Sequence, residues 1–161
     1  MKRLRRPPRI KYLEAASAIG DGRVEILESG NTWRARVSSS DGSRVYNVIV
    51  ALEDGRVRAY SSDNGTLLRG YVGYPILAVL MLAGLLPRDP RVEEALRGVP
   101  WKRLNETLRK YSLVIERVAE EAEKKGVPRS RLEALMEEGS RALSRLRVYL
   151  DESLASSETR S

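Results

Sequence analysis

Arginine and tyrosine residues alternate along two segments of the sequence, and this pattern is the clearest indication of chemistry in the chain. Arg34 and Arg36 lie in one segment, and Arg56, Arg58 and Tyr60 lie in the other. In an extended strand, residues two positions apart point to the same face. Guanidinium groups bind phosphates, and flat or apolar side chains contact bases. The spacing therefore predicts a sheet face that binds single-stranded nucleic acid.

Three turn signals predict the strands that position these side chains. Asp41-Gly42 and Asp54-Gly55 are typical of two-residue hairpin turns, and Ser29-Gly30-Asn31 marks a further turn. In the resulting register Leu52 faces Val57, and the apolar residues of all the strands share one face. The predicted strands are 23–28, 32–39, 43–53 and 56–61.

The opposite face of this predicted sheet carries the candidate binding residues. The arginines are expected to contact phosphates, and Tyr60 with Ile49 is expected to meet bases. An ordinary solvated face, with Glu25 paired to Arg36, is the alternative interpretation. The candidate nucleic-acid-binding residues are Arg34, Arg36, Asn47, Ile49, Arg56, Arg58 and Tyr60.

Most of the net charge of +7 lies in residues 1–11, which we call the basic arm. The arm has six basic residues and no acidic residue, so the rest of the chain is close to neutral. Such an arm is suited to a phosphate backbone, and a solvated tail is the alternative. The arm residues are Lys2, Arg3, Arg5, Arg6, Arg9 and Lys11.

The remaining segments are predicted to be mainly helical. Helical spacing after Pro7-Pro8 predicts a first helix that ends at Gly20, and the apolar run 74–86 predicts a buried helix. Arg69, Tyr71 and Tyr74 lie near this run, where an aromatic rim and core packing are equally favoured.

A leucine-rich seam over 100–157 predicts a helical hairpin in which Gly139 allows another helix to approach closely. The seam favours self-association into a dimer or tetramer, and packing onto the sheet of the same chain is the alternative. The predicted oligomerisation residues are Leu104, Leu108, Tyr111, Ile115, Val118, Leu132, Leu135, Leu143, Leu146 and Leu150.

The composition excludes several kinds of catalytic, metal-binding and cross-linking site. The chain has no histidine and no cysteine, which removes zinc fingers, iron–sulfur sites, Ser-His-Asp triads and disulfides. We expect no catalytic residues, no metal, no cofactor and no membrane partner. The sequence shows no secretory signal, so we expect a cytoplasmic protein. Missing glutamine and cysteine, with many charged residues, favour a hyperthermophilic source.

A basic hairpin-sheet domain followed by a leucine-rich helical tail resembles ThermoDBP and its related proteins, which bind single-stranded DNA in hyperthermophilic archaea. The matching residues are Trp33, Arg34, Arg36, Arg58 and Tyr60, followed by the seam from Leu104 to Leu154. The resemblance implies nucleic acid on the first domain and a homo-oligomer through the helices.

These observations lead to one hypothesis about the fold and one about the function. The predicted fold class is α+β, with a four-stranded antiparallel meander packed on helices and a C-terminal α-helical hairpin or coiled coil. The predicted parts are the arm 1–11, a nucleic-acid-binding domain 12–99 and an oligomerising hairpin 100–157. The predicted function is non-enzymatic binding of single-stranded DNA or RNA, with DNA preferred. The alternative is a coiled-coil structural or interaction protein.

Overall fold

A computed structural model of the protein describes residues 1–158. This part of the chain forms six strands and eight helices. The strands are β1 (Lys2–Arg3), β2 (Val24–Glu28), β3 (Thr32–Ser38), β4 (Val45–Glu53), β5 (Arg56–Ser61) and β6 (Val148–Leu150). The helices are α1 (Ile10–Gly20), α2 (Asn64–Leu67), α3 (Tyr74–Leu82), α4 (Pro90–Ala95), α5 (Trp101–Leu108), α6 (Tyr111–Lys124), α7 (Arg129–Arg145) and α8 (Ser153–Glu158).

The register predicted from the turns is confirmed for the strands β2 to β5. Leu52 pairs with Val57, and Val37 pairs with both Tyr46 and Val24. Gly42 and Gly55 have φ angles of 75° and 76°, a region that glycine enters without steric cost. The Asp-Gly turns therefore fix the pairing locally, and one face of these strands is apolar.

The predicted fold class is wrong, because the sheet is larger and mixed. Its strand order is β1-β6-β5-β4-β3-β2, and β6 runs parallel to β5 while β1 runs antiparallel to β6. The four antiparallel strands are thus one part of a six-stranded sheet. The architecture is mixed α/β, with strands from both ends of the described chain at one edge.

The predicted C-terminal hairpin is also wrong. The chain leaves the helical conformation at Arg109, whose φ of 62° separates α5 from α6. After α7 the backbone becomes extended and forms β6, and only then does the short α8 follow. Residues 100–157 therefore supply four helices and a strand of the sheet.

Two helices form the centre of the core on the covered side of the sheet. The helix α3 packs on β3, β4 and β5, and α1 packs in turn on α3, α4 and α7. Gly139 lies on α7 against the ring of Tyr12 in α1, where a Cβ atom would come within 2.7 Å of the ring. The prediction that Gly139 allows close helix approach is confirmed, and the partner helix belongs to the same chain.

The leucine seam packs mainly within the chain. Its most buried members belong to the same core cluster as α1 and α3, and a second group packs partly buried against that cluster. Tyr111 is 40% exposed. The seam is therefore covered to a large extent by its own fold, and self-association remains a prediction. The buried members are Val118, Leu132, Leu135 and Leu143, and the partly buried ones are Leu104, Leu108, Ile115, Leu146 and Leu150.

A helix that spans a bilayer needs about 20 predominantly apolar residues. In residues 1–158, no helix has both the length and the apolar character needed to span a membrane.

Candidate functional site

The predicted binding residues lie together on one face of the sheet, which we call the open face. Arg34 of β3 pairs with Ile49 of β4, and Ile49 pairs with Tyr60 of β5. Arg36 pairs with Asn47 one row further along, and Arg58 of β5 pairs with Ala51. The hairpin turns thus bring the seven candidates to the same side, as the alternation of the sequence requires.

The helix α8 covers the centre of the open face. Leu154 packs against Ile49 and Ala51, and Tyr60 packs partly buried beside them. Ile49 is completely buried. Ile49 therefore has no contact surface for a base while α8 stays in place, whereas Tyr60 keeps part of its ring accessible.

Most of the open-face arginines already have carboxylate partners. Arg34 contacts Glu28 at 2.8 Å, Arg56 contacts Glu53 at 2.9 Å, and Arg58 contacts Glu53 at 3.0 Å. The Arg56 guanidinium, together with that of Arg58, holds the pKa of Glu53 below its usual range. These contacts neutralise charge that would otherwise attract phosphates.

Arg58 has a second partner that the sequence did not indicate. Its Nη1 lies 2.6 Å from Asp151, which precedes α8. Hydrogen bonds from Ser153, followed by the contact with Arg58, lower the pKa of Asp151. Asp151 thus ties α8 to β5 and explains why α8 lies on the open face.

Arg36 differs from the other three arginines of the open face. Its side chain is exposed, and its cross-strand neighbours are Glu25 and Asn47. Within the described residues it forms no ion pair at 4 Å or less. The backbone N–H of Asn47 donates to Ser62 Oγ at 3.1 Å. Arg36 is therefore the most available cation of the predicted set.

Two strands missed by the sequence analysis extend the open face. Tyr149 of β6 pairs with Arg58 on one side and with Arg3 of β1 on the other. A half-exposed tyrosine thus lies between two arginines. Because Leu146, Leu150 and Leu154 continue the helical spacing of the leucine seam through this segment, no local signal distinguished this strand from a helix.

The basic arm is part of the fold. Leu4 is buried in the core and its N–H donates to the carbonyl of Val148 at 2.9 Å. Arg5 forms a bridge with Tyr71, and its guanidinium donates to the carbonyl of Arg69. Five arm cations are exposed and form no ion pair with any described residue. They are Lys2, Arg3, Arg5, Arg6 and Arg9.

The sixth arm cation, Lys11, belongs to a separate site on the helical side of the molecule. Its Nζ contacts the Glu14 carboxylate at 2.8 Å and lies 5.5 Å from the centre of the Tyr111 ring. Burial alone lowers the pKa of Lys11, but the Glu14 carboxylate reverses this, so its pKa is raised. Burial raises the pKa of Glu14, and Lys11 opposes that shift only in part.

These two residues line a cleft of about 340 Å³, which we call the polar cleft. Five aromatic side chains line it, namely Tyr46, Tyr71, Tyr74, Trp101 and Tyr111. Tyr71, Tyr74 and Arg69 were singled out from the sequence, and the structure brings all three to this cleft. The sequence did not indicate Trp101 and Asn105 as candidate residues, because their helix lies in the segment predicted to form the leucine-rich hairpin.

The charged groups of the polar cleft are mostly cations. Besides Lys11, its lining includes Arg23, Arg44, Arg69 and Lys102, against the carboxylates Glu14, Asp41 and Asp63. Hydrogen bonds from Ser43 and Ser39 lower the pKa of Asp41. Across the residues that the structure describes, no group of three or more carboxylates is arranged to hold a metal ion.

Comparison with known proteins identifies the family. A family model described as "Uncharacterised conserved protein UCP014422" matches residues 4–149. The chain belongs to this family.

No curated protein and no solved structure matches the chain. The matched range includes the polar cleft and Tyr149 but stops before α8. None of these comparisons connects the family with the ThermoDBP proteins, so that resemblance stays a hypothesis.

Proposed function

We propose that this member of the family is a non-enzymatic protein that binds single-stranded nucleic acid, with DNA preferred to RNA. The observation that carries the proposal is the row formed by Arg3, Tyr149 and Arg58 across three neighbouring strands. Arg3, which forms no ion pair with a described residue, and the ion-paired Arg58 flank a partly exposed aromatic ring. This is the combination that binds a phosphate backbone and stacks an unpaired base.

The basic arm supplies the larger part of the expected attraction. Arg5 and Arg6 line a groove with Arg69 and Tyr71, and Arg9 lies with Arg6 beside α7. None of these three arm arginines forms an ion pair with a carboxylate partner among the described residues. Exposed cations without such partners release counterions when they meet phosphates, which favours binding. Because Leu4 anchors the arm in the core, these charges keep a fixed position relative to Tyr149.

The seven residues predicted on the open face contribute unequally in this proposal. Arg36 contributes as an exposed cation, and Tyr60 and Asn47 contribute contacts beside α8. Arg34, Arg56 and Arg58 contribute less, because a phosphate must compete with Glu28, Glu53 or Asp151. Ile49 contributes only if α8 leaves the face.

A cytoplasmic location, a hyperthermophilic archaeal source and a homodimer or tetramer belong to the same proposal. The composition supports the source, and the exposed Tyr111 and Leu113 at the start of α6 leave an apolar patch for a second copy. Sedimentation velocity of the full chain measures the oligomeric state independently of nucleic acid.

The experiment uses fluorescence anisotropy with a short labelled oligonucleotide, as single-stranded DNA, single-stranded RNA and duplex. Arg3→Ser and Tyr149→Ser should each weaken single-strand binding, and Tyr149→Phe should restore it because the ring is kept. Arg117→Ser is the matched control, since Arg117 is an exposed arginine on α6. Binding that is unaffected by Arg3→Ser and Tyr149→Ser contradicts the proposal. No binding by the unaltered protein favours the structural or interaction protein instead.

A further inference from the structure

The polar cleft contains buried polar atoms that the rest of the fold does not satisfy. Trp101 is 3% exposed, and its Nε1 has no hydrogen-bond partner among the described residues. The same is true of Asn105 Oδ1 and of Arg23 Nη2. A buried donor or acceptor without a partner destabilises a protein, so each such atom calls for an explanation, and a bound ligand is one. Tyr12 Oη and Ser61 Oγ are also unpartnered within the described residues, but neither residue lines the cleft.

Two of these atoms belong to neighbouring positions on one helix. Trp101 and Asn105 are four residues apart on α5, which places them on the same side of that helix. The indole N–H is a donor and the amide oxygen is an acceptor. A ligand that accepts a hydrogen bond at a ring nitrogen and donates one from an amino group, as adenine does, has the groups that would satisfy both atoms.

The walls of the cleft suit a flat ring. Tyr46 and Tyr74 meet edge to face with their centres 6.2 Å apart, and burial raises the pKa of Tyr74. Tyr111 carries the Lys11 ammonium over its ring, while part of its own surface stays exposed. Aromatic faces of this kind stack on bases with little dependence on which base is bound.

The mouth of the cleft suits a phosphate. Arg69 and Tyr71 line both the cleft and a neighbouring groove that also contains Arg5 and Arg6. Three guanidinium groups therefore lie beside the aromatic walls on the side nearest the arm. Guanidinium is the cation best suited to bind phosphate oxygens in pairs.

We propose that the polar cleft binds one nucleotide, with its base between the tyrosines and α5 and its phosphate at Arg69. The volume of about 340 Å³ lies near the lower end of small-molecule sites, which span about 300–1,000 Å³ and hold a single ligand. The nucleotide can be free in solution or part of a strand that continues along the arm. Binding of a free nucleotide does not depend on the open face, so this inference stands apart from the proposed function.

Nuclear magnetic resonance of the indole N–H groups tests the proposal directly. The protein has two tryptophans, and Trp33 lies on the covered side of β3, where it packs against the core. Adenosine monophosphate should shift the Trp101 indole signal and leave that of Trp33 in place. Ribose 5-phosphate and inorganic phosphate should leave both signals in place, since neither carries a base.

Variants on α5 assign the effect to the cleft. Asn105→Ala should weaken adenosine monophosphate binding about tenfold, the loss typical of one hydrogen bond in a buried site. Trp101→Phe removes the N–H but keeps a ring, and its binding is followed by calorimetry because the reporting signal is lost. Arg103→Ala is the matched control, because Arg103 is exposed on the same helix. If Trp101→Phe fails to fold, Asn105→Ala alone carries the test.

A short oligoadenylate distinguishes binding of a free nucleotide from binding of a nucleotide within a strand. A Trp101 shift with the monophosphate supports a free nucleotide, and a shift with the oligonucleotide alone supports a nucleotide within a strand. No Trp101 shift with either ligand overturns the proposal, as does an equal shift with ribose 5-phosphate. Oligonucleotide binding that persists in Asn105→Ala and is lost in Arg3→Ser contradicts strand binding in the cleft while leaving the proposed function intact.

Discussion

Two groups of cations lie along the same sheet and differ in their partners. On the strands β3 and β5, Arg34, Arg56 and Arg58 are each within 3.0 Å of a carboxylate. On the edge strand β1 and the segment after it, Arg3 and Arg5 are exposed and have no such partner among the described residues. The first group stabilises the contact between strands and α8, and the second group leaves its charge available to a ligand.

This difference shows that a pattern of residue types locates charges without saying whether they are available. The alternation of the arginines on β3 and β5 predicted that they share one face of the sheet, and the register confirms this. Their carboxylate partners Glu28 and Glu53 lie on the neighbouring strands β2 and β4, so the sheet largely neutralises the charge of these arginines. The arm has no acidic residue, and apart from Lys11, which pairs with Glu14, its cations form no ion pair with a described residue.

The largest effect is expected when the arm loses its charge. A variant with Lys2, Arg3, Arg5 and Arg6 changed to Gln should lower the slope of log K against log salt by about 3, at about 0.7 for each single-strand phosphate contact. Salt-dependent anisotropy measures the slope. The control variant, Arg34→Gln with Arg56→Gln, should change it little. Equal slopes in the two variants would remove the distinction between the groups.

A smaller effect is expected from Asp151, which holds Arg58 and α8 together. Asp151→Ala should reduce the free energy of unfolding by about 1–2 kcal/mol, because hydrogen bonds to a charged group are lost. It should also strengthen oligonucleotide binding by uncovering Tyr60 and releasing Arg58. Chemical denaturation and anisotropy measure the two quantities. Asp151→Asn is the matched control, since an amide can keep the bonds from Ser153. An Asp151→Ala variant that unfolds less readily than Asp151→Asn contradicts this role.

A single pair of residues gives a finer comparison within the open face. Arg36→Gln should lower the salt slope by about 0.7, because an exposed cation loses one phosphate contact. Arg34→Gln should leave the slope almost unchanged, because Arg34 is paired with Glu28. The same anisotropy titration measures both. Should Arg34→Gln produce the larger change, ion pairing would not be what separates the cations.

The smallest effect is expected when the pH is lowered and the free energy of unfolding is measured. The folded protein holds the pKa of Glu53 and that of Asp151 below their ordinary values of 4.5 and 3.8. A group with a lowered pKa contributes stability above its ordinary pKa, and this contribution is lost as the pH falls through the lowered pKa. Unfolding free energy should therefore decrease below about pH 4, and less steeply in a Glu53→Gln, Asp151→Asn variant. Identical slopes would show that the carboxylates do not favour the folded state.

The local parts of the fold could be predicted from the sequence. Asp41-Gly42 and Asp54-Gly55 defined tight turns, and the turns set the register of four strands in the way that the structure has them. The helix Ile10–Gly20 was predicted from its spacing and its prolines. In each case the information lies within a few residues of the feature, where backbone geometry decides the outcome.

The predictions that were wrong concern features that depend on contacts between residues distant in the sequence. Leu146, Leu150 and Leu154 fit a helical seam, and only the pairing of Val148 and Leu150 with β5 makes this segment a strand. The helix break at Arg109 contains neither a glycine nor a proline from which it could have been predicted. For the candidate site, Glu53 could have been predicted as a partner of Arg56 from the turn register, whereas Asp151 could not. Trp101 and Asn105 reach the polar cleft only through the packing of α5.

The position of β6 has a consequence for how the protein folds. β6 lies between β1 and β5, so it joins the arm to the rest of the sheet, yet it is the last strand in the described chain. During synthesis, the four strands β2 to β5 can pair as they emerge, while β1 has to wait for Val148–Leu150. Such distant contacts slow folding because the chain must first close a long loop. The strand β1 is therefore expected to reach its final position in the last stage of folding.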